Sequence, residues 1–513
     1  MWYCLGDLLK HEKESRKTQI ALVDDDRRVT YGELCDLVER YATLAVDAGI
    51  RRGDRVALYL PRSVDLVAAL FGVWRLGAVA VIVNDVLKSR QVNYIVDHSE
   101  ASLLITKSTM VPARNDLTIS QNRIFRIDKN PIPERAYTTS RDPIGADLAL
   151  IIYTSGSTGM PKGIMLSHAN ILSGTFIISD YLRLTQDDII ISVLPFSFDY
   201  GLNQLMSALY VGGRLVIQRS VLPADICSTL TKEKVTGMGC VPMLWQQLAG
   251  DRSPFVKTSF PHLRYITNTG GKMPENVTRL ISTTHPQVQI YLMFGLTEAF
   301  RSSYLPPEQV SKRPTSIGKA IPNVELLVIN EQGEECKPGE TGELIHRGAN
   351  IAIGYWRDPE ATARRFRPSP AQNGKGGLQE IAVYSGDYVK RDEEGYLYFV
   401  GRKDQMMKSH GMRVSPEEIE EPLLSSNLLS HVVAFSDQRN GTEGAIVAAI
   451  VPRDAKTFNE KELTIFCRKE LPEYLRPGVF WKLDGFPQTS SGKPDRVALK
   501  EKYIQSQSVE KAR

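Results

Sequence analysis

A glycine- and hydroxyl-rich loop is the part of this sequence whose residue types most clearly could do chemistry. It reads Tyr153-Thr-Ser-Gly-Ser-Thr-Gly-Met-Pro-Lys-Gly163 and directly follows an apolar run over residues 148–153. Small residues leave backbone N–H groups and hydroxyls open to phosphate oxygens, and Lys162 adds a positive charge. It is not a Walker A loop, because Gly-Lys-Ser/Thr is absent at the required spacing after Gly156. The loop therefore predicts a phosphate site rather than a flexible surface turn.

Other charged and hydroxyl residues stand in short segments that contain glycine. Thr297 and Glu298 end Tyr291-Leu-Met-Phe-Gly-Leu-Thr-Glu298, Asp387 ends Tyr384-Ser-Gly-Asp387, and Lys493 lies in Ser490-Ser-Gly-Lys-Pro494. Taken singly, the Thr-Glu pair suits a helix N-cap, and the others suit solvated surface charges. Their significance depends on whether they form one ordered set.

The elements that must position these residues alternate along the chain. Segments with helical apolar periodicity alternate with short β-branched runs, which predicts an α/β fold class with largely parallel sheets. The predicted strands cover residues 55–59, 103–106, 148–153, 215–218, 264–268 and 289–293. From Val324 onward, strand pairs separated by glycine-rich turns predict a small antiparallel sheet or β-barrel. A second change in the sequence pattern follows Gly401-Arg402-Lys403-Asp404. It predicts the main domain boundary there, followed by a compact α+β unit.

Composition excludes several classes of protein. The 513 residues carry 63 Lys+Arg and 59 Asp+Glu, a net charge of +4 that is too small for binding nucleic acid. Six cysteines without a C-x-x-C pair and eight histidines without H-E-x-x-H disfavour disulfides and a transition metal. The apolar stretch 66–83 is predicted to be a buried helix and a buried strand rather than a membrane span. No secretory signal is evident, so a cytoplasmic location is expected.

Five segments, in order along the chain, resemble the motifs of the AMP-forming adenylating enzymes. This family includes acyl-CoA synthetases, peptide-synthetase adenylation domains and firefly-type luciferases. The matching segments are residues 153–163, 291–298, 384–387, 401–404 and 487–493, and Val29-Thr-Tyr-Gly-Glu-Leu34 resembles the family's opening motif. The resemblance covers essentially the whole chain. It implies that ATP and a carboxylic acid form an acyl-adenylate, from which a thiol then displaces AMP.

The resemblance also implies which residues bind ATP and Mg²⁺. Glu298 would hold Mg²⁺ and Thr297 would contact the α-phosphate. Phe294 would stack on adenine in place of the usual Tyr, and Lys272 stands beside the adenine loop where the family usually has a small residue. Asp387 would bind the ribose hydroxyls with help from Arg402. The nucleotide-binding residues predicted in this way are Thr154, Ser155, Gly156, Ser157, Thr158, Gly159, Lys162, Gly270, Gly271, Phe294, Asp387 and Arg402.

Two half-reactions in one cleft imply a moving C-terminal domain. Lys493 would bridge the substrate carboxylate and the α-phosphate during adenylation. Asp404 would be the hinge, and Gly411 would line a tunnel for the thiol of phosphopantetheine. The expected architecture is an N-terminal body, residues 1–402, of two layered α/β subdomains plus a small β-barrel, followed by a small mobile α+β domain, residues 403–513.

The acid substrate is predicted from Leu194-Pro-Phe-Ser-Phe-Asp-Tyr-Gly-Leu-Asn203, which corresponds to the segment that enters the family's acyl pocket. Asp199 matches the aspartate that pairs with the substrate ammonium in peptide-synthetase adenylation domains, which favours an amino acid. Alternatively, Arg301 pairs with Asp199, and the substrate is another polar or short acid. The predicted substrate residues are Phe196, Asp199, Asn203, Cys240, Met293 and Arg301, with Met243 and Ser302 as further lining.

The acceptor and the wider class stay open at this stage. No Asp-Ser-Leu phosphopantetheine site follows Lys493, so CoA or a carrier protein is expected in trans. The sequence Gly295-Leu-Thr-Glu-Ala-Phe-Arg301 also resembles that of stand-alone aminoacyl ligases and of ligases associated with exosortase gene clusters. A luciferase-like oxidase and a non-catalytic nucleotide sensor are the alternatives from other classes. The protein is expected to be a monomer or a homodimer.

Overall fold

The computed structural model describes residues 2–10, 16–111, 117–137, 142–154, 161–372, 380–403, 405, 407–409, 412–437, 445–489 and 493–511. The chain divides into two compact units. The first contains Met1–Leu326 and Ile345–Tyr384, and the second contains Leu327–Leu344 and Ser385–Arg513. The predicted boundary after residue 402 separates a body from a domain that moves during the reaction, and it stays a prediction.

Short strands and helices alternate along the first three hundred residues. The strands in chain order are β1 (Ile20–Asp24), β2 (Arg27–Thr30), β3 (Arg55–Tyr59), β4 (Val79–Ile82), β5 (Leu103–Thr106), β6 (Ile124–Arg126), β7 (Leu148–Thr154), β8 (Lys162–Ser167), β9 (Ile189–Ser192), β10 (Arg214–Ile217), β11 (Gly237–Cys240), β12 (Tyr265–Asn268), β13 (Gln289–Phe294), β14 (Ser303–Leu305), β15 (Ser316–Ala320), β16 (Val324–Ile329), β17 (Thr341–Gly348), β18 (Gly354–Tyr355), β19 (Phe366–Pro368), β20 (Ile381–Arg391), β21 (Leu397–Arg402), β22 (Met407–Ser409), β23 (Met412–Val414), β24 (Leu429–Asp437), β25 (Ala445–Pro452) and β26 (Val479–Lys482). The α-helices are α1 (Asp7–Lys10), α2 (Tyr31–Asp47), α3 (Val64–Arg75), α4 (Ser89–His98), α5 (His168–Tyr181), α6 (Asp199–Val211), α7 (Pro223–Lys232), α8 (Pro242–Leu248), α9 (Glu275–Thr284), α10 (Pro307–Val310), α11 (Pro359–Arg365), α12 (Pro416–Ser425), α13 (Glu460–Glu470) and α14 (Arg496–Lys511). Short 3₁₀ helices cover Gln121–Arg123, Phe255–Lys257, Thr297–Ala299, Pro370–Gln372 and Glu473–Leu475.

The first unit contains two layered sheets, as the strand pattern predicts. One sheet has the order β18-β8-β7-β4-β3-β5-β6, and the other includes the order β15-β14-β13-β12-β11-β9-β10-β1-β2. Pairing is parallel from β9 to β13 and among β3, β4, β5 and β7. The largest apolar cluster takes residues from both sheets and from helices α2, α3, α5 and α6, so these helices fill the space between the sheets. The predicted α/β fold class is confirmed.

Local signals fix the ends of the inner helices. Thr30 and Glu33 form a capping box at the start of α2, and Ser167 and Asn170 form one at the start of α5. The apolar stretch 66–83 folds as predicted into the buried helix α3 and the buried strand β4. Within the described ranges, every helix is too short or too polar to cross a lipid bilayer.

The second unit is an α+β assembly. Strands β20 and β21 form an antiparallel pair, and strands β24, β25 and β26 form a sheet beside helices α12, α13 and α14. The predicted small β-barrel is wrong for the described strands, because they form open sheets and barrel closure requires the two edge strands to pair.

Candidate active site

Three neighbouring parallel strands of the first unit deliver the predicted residues to one edge of their sheet. Strand β11 ends at Cys240, which is in register with Asn268 at the end of β12, and β13 ends at Phe294. Gly270 and Gly271 follow β12, and the 3₁₀ helix Thr297–Ala299 follows β13. The crevice at the carboxyl ends of strands is where open α/β sheets bind ligands, so the sheet places a candidate ligand site here.

Strands β7 and β8, which flank the predicted phosphate loop, form an antiparallel pair. Thr154 is in register with Lys162. The Lys162 Nζ atom lies 5.2 Å from the centroid of the Tyr355 ring and 3.9 Å from Asp358 Oδ2. Between these ends, the predicted phosphate-binding residues Ser155, Gly156, Ser157, Thr158 and Gly159 lie outside the described residues.

The carboxylate of Glu298 sits in a cluster of polar side chains. Its Oε1 atom accepts a hydrogen bond of 2.6 Å from the Tyr355 hydroxyl and lies 3.9 Å from Arg365 Nε. The backbone N–H of Ala352 donates to the Glu298 carbonyl at 2.8 Å, which fixes the turn. A carboxylate is a hard oxygen ligand of the kind Mg²⁺ takes, with phosphates and waters completing its shell, so the donor set fits that ion.

Phe294, which is predicted to stack on adenine, packs beside a buried histidine. The rings of Phe294 and His346 are 6.3 Å apart and nearly parallel, at 20°. His346 is fully buried, and its Nδ1 atom lies 2.7 Å from Ser302 Oγ. Burial lowers the pKa of His346 to about 3, so the ring is neutral at pH 7.

Arg301 and Asp199 form an ion pair at the start of helix α6. Arg301 Nη1 lies 3.5 Å from Asp199 Oδ2, and the Arg301 guanidinium carbon lies 4.7 Å from the centroid of the Tyr200 ring. Only 2% of the Arg301 side chain is exposed, against 16% of Asp199. The preceding Phe300 has a φ of +49°, a conformation that non-glycine residues rarely adopt and that is often found at functional sites. Asp199 was predicted to pair either with a substrate ammonium or with Arg301, and the pair with Arg301 is present in the structure.

A close backbone approach holds the start of α6 in place. A Cβ atom on Gly201 would collide with the carbonyl oxygen of Pro195, so a larger residue would push the segment apart. Glycine thus lets the chain fold back on itself between Phe196 and Asn203.

A small cavity lies next to this ion pair. Its volume is about 20 Å³, enough for one ordered water molecule. Of the predicted substrate residues, Asn203 and Met293 line it. Tyr200 also lines it, and the ring of Tyr200 packs against the Arg301 guanidinium. The other lining residues are Ile178, Leu182, Leu184, Ile190, Gln204, Ser207, Gly239, Tyr265 and Thr267. Phe196 and Cys240 are buried without lining this cavity.

The second unit carries the remaining predicted residues. Asp387 is in register with Arg402 across strands β20 and β21, and Arg402 Nη1 lies 2.9 Å from Asp387 Oδ1. Lys493 is exposed, and its carbonyl accepts a 2.8 Å hydrogen bond from the Thr489 N–H. Asp404 and Gly411, the predicted hinge and tunnel residues, lie outside the described residues.

Sequence reasoning missed three residues that shape the site in the first unit. Tyr355 contacts both Glu298 and Lys162, and His346 contacts Ser302. The Asn350 side-chain amide donates to the carbonyl of Ala299 at 2.5 Å and holds the turn after Glu298. No local signal distinguishes these three from ordinary polar residues, because each acts through a contact with a residue distant in sequence.

Comparison with known proteins gives matches along most of the chain. Residues 9–356 match the family model described as AMP-binding enzyme, and residues 418–493 match the one described as AMP-binding enzyme C-terminal domain. A linear gramicidin synthase of Brevibacillus parabrevis is 28% identical over 500 residues, which cover 97% of this chain and 6% of that protein. A second linear gramicidin synthase from the same organism is 27% identical over 501 residues, which cover 97% of this chain and 10% of that protein. The chain therefore spans a small part of these two relatives.

A relative of similar length is the oxalate–CoA ligase of Arabidopsis thaliana, which is 29% identical over 505 residues that cover 93% of this chain and 94% of that protein. Among solved structures, an anthranilate CoA ligase in complex with anthranoyl-AMP has a TM-score of 0.86 at 24% identity, covering 98% of this chain and 97% of that one. The o-succinylbenzoate CoA synthetase of Bacillus subtilis, with ATP and magnesium, has a TM-score of 0.83 at 23% identity, covering 96% and 99%. At these identities the structural likeness shows the fold alone. From the extent of the sequence-family match, the chain belongs to the AMP-binding enzyme family.

Proposed function

We propose that this protein is an ATP-dependent, AMP-forming ligase that joins a small carboxylic acid to a thiol. The observation that carries the proposal is the cluster formed by Glu298, Tyr355 and Lys162 in the first unit. A carboxylate suited to Mg²⁺ and a cation suited to phosphate contact the same tyrosine. This is the combination that phosphoryl chemistry needs, because such reactions depend on positioning and on neutralising charge.

In the first half-reaction, a carboxylate oxygen of the acid attacks the α-phosphorus of ATP, and pyrophosphate leaves. Lys162 and the N–H groups of the phosphate loop would bind phosphate oxygens, and Thr297 would donate to the α-phosphate. Glu298 would hold Mg²⁺, which supplies positive charge to the phosphates. Phe294 would stack on adenine, and Gly270 and Gly271 would leave room for its edge.

The second unit would contribute different residues to the two steps. Lys493 would place its ammonium between the attacking carboxylate and the α-phosphate in adenylation. Asp387, held by Arg402, would accept hydrogen bonds from the ribose hydroxyls. Rotation about Asp404 would then exchange Lys493 for the loop at Gly411, beside which the thiol attacks the acyl carbon and AMP leaves.

The substrate is proposed to be an amino acid or another short polar acid. Asp199, although paired with Arg301, can still accept from a substrate ammonium, since a carboxylate accepts several hydrogen bonds. The buried polar groups beside it favour a short polar acid over a long alkyl chain.

The acceptor is proposed to be the thiol of phosphopantetheine, carried by CoA or by a carrier protein. The Arabidopsis oxalate–CoA ligase, which is related over nearly its full length, supports CoA. The gramicidin synthase relatives support a carrier protein, since this chain matches only one part of them. Thioester formation with each acceptor, measured after the acid is known, separates the two.

ATP–pyrophosphate exchange across amino acids, hydroxy acids and fatty acids tests the proposal. We expect exchange with short polar acids, loss of exchange in Glu298→Gln, and loss with amino acids in Asp199→Ala. Best exchange with octanoate or longer acids would contradict the substrate class. Absence of exchange with every acid would contradict the function itself.

A further inference from the structure

Several buried hydrogen-bonding groups near the ion pair of Asp199 and Arg301 have no partner within the described part of the chain. They include Nε and Nη2 of Arg301 and, on helix α6, Nδ2 of Asn203 and Oε1 of Gln204. Arg301 is 2% exposed and Asn203 3% exposed. A buried polar group left without a partner is costly, so the open donors of Arg301 and Asn203 indicate a place where a ligand supplies acceptors.

The two open donors of Arg301 have the geometry of a carboxylate fork. Nε–H and one Nη–H of the planar guanidinium point in the same direction and bind both oxygens of a carboxylate at once. The pair with Asp199 uses the other terminal nitrogen, Nη1. Arg301 can therefore keep its contact with Asp199 and bind a second anionic group.

The two side chains together present complementary charges to a ligand. Asp199 offers acceptors to an ammonium group, and the open side of Arg301 offers two donors to a carboxylate. Because Arg301 Nη1 lies 3.5 Å from Asp199 Oδ2, one small molecule that carries both charges can contact both side chains. Asn203, which lines the cavity and lies one helical turn after Asp199, adds a further donor.

We infer that the acid activated by this enzyme is an acidic amino acid, and that Arg301 determines this specificity by binding the carboxylate that is not activated. The inference rests on the proposed function and deepens it. A neutral side chain in the same place would leave the Arg301 fork unpaired, which is the kind of penalty that gives polar sites high selectivity.

The test compares matched acids in ATP–pyrophosphate exchange with the wild-type chain. The pairs are aspartate with asparagine and glutamate with glutamine, which differ in charge but hardly in size. We expect kcat/KM to be at least about tenfold higher for one acidic member than for its amide. Equal or better exchange with the amides would overturn the inference, and this comparison needs no variant to fold.

A variant series then assigns the selectivity to Arg301. Arg301→Lys keeps the charge but loses the fork, so KM for the acidic amino acid should rise about tenfold or more while KM for ATP is unchanged. Arg347→Lys, at an ion pair with Glu325 and Glu380, is the matched control and should change neither value. An unchanged KM in a folded Arg301→Lys variant would overturn the inference.

Failure of the inference and of the proposed function can be told apart. Exchange with a neutral or hydroxy acid that Arg301→Lys does not alter would overturn the inference and leave the ligase function standing. Absence of exchange with every acid, in a chain that melts cooperatively, would overturn both.

Discussion

The Tyr355 hydroxyl donates a 2.6 Å hydrogen bond to Glu298 Oε1. The face of the same ring lies 5.2 Å from Lys162 Nζ. One side chain thus connects the carboxylate proposed for Mg²⁺ with the lysine proposed for phosphate, although the three residues lie far apart in sequence. Its position makes the two contacts separable by substitution.

Tyr355→Phe removes the hydrogen bond to Glu298 and keeps the ring. We expect the KM for Mg²⁺ to rise about tenfold, because a hydrogen bond to a charged group contributes about 1.5–3 kcal/mol. Tyr355→Leu also removes the ring that lies beside Lys162. In this variant the KM for ATP should rise about threefold as well. Steady-state pyrophosphate exchange at varied Mg²⁺ and ATP measures both values.

Tyr59→Phe is the control, because the Tyr59 hydroxyl donates to the Leu87 carbonyl at 2.7 Å outside this cluster. It should leave both KM values unchanged. If Tyr355→Phe resembles the wild type, or weakens binding of the acid alone, the positioning role is wrong.

Lys493→Ala should separate the two half-reactions. Adenylation should fall about a hundredfold or more, because the lysine charge is proposed to stabilise the transition state of that step. Thioester formation from a supplied acyl-adenylate should be largely retained. Lys502→Ala, on the exposed side of helix α14, is the control. Equal losses in both half-reactions would contradict the role of Lys493.

A partly buried ion pair lies three residues after Lys493, at the start of helix α14. Both terminal nitrogens of Arg496 bind Glu420, at 2.5 and 2.7 Å, and Arg496 Nη1 also donates to the Ala434 carbonyl. Arg496→Met should lower adenylation about tenfold by loosening the lysine loop, and Arg496→Lys should restore part of it. Thioester formation from supplied acyl-adenylate should change much less.

Measuring both half-reactions distinguishes positioning from simple loss of stability. A structural effect alone would lower the two rates together in proportion to the folded fraction. That result, or no effect of Arg496→Met, would show that the ion pair does not position Lys493.

The sequence predicted those features that depend on local pattern. The strand predicted over residues 289–293 is β13, and its end carries Phe294, with Thr297 and Glu298 close behind. Tyr355 could not be predicted, because its role depends on pairing of β18 with β8, which brings it beside Lys162. The barrel was predicted wrongly, since glycine-rich turns signal antiparallel pairs but carry no information about closure.

Burial of His168 makes the first unit sensitive to acid. The ring is fully buried, its Nδ1 atom accepts from the Leu5 N–H at 3.1 Å, and burial lowers its pKa to about 4. The unfolded ring, with a pKa near 6.5, binds a proton that the folded ring does not. The contribution of His168 to the free energy of unfolding is therefore complete above about pH 6.5, and it is lost as the pH falls toward 4.

His168→Asn keeps an acceptor for the Leu5 N–H and removes the titration. The wild type should lose about 2 kcal/mol from this group between pH 7.5 and pH 5, and the variant should lose that much less. Urea unfolding followed by tryptophan fluorescence measures the difference, since Trp74 lies against this ring. Equal pH dependence in both chains would contradict the assignment.

Transfer of oxygen from the acid to AMP tests the central claim of adenylate formation most directly. The acid identified by exchange is labelled with ¹⁸O in its carboxylate and incubated with ATP, Mg²⁺ and the accepting thiol, and the nucleotide product is analysed by mass spectrometry. Attack of the carboxylate on the α-phosphorus predicts AMP that carries one ¹⁸O atom. AMP without the label, or ADP with labelled phosphate, would contradict the proposed function.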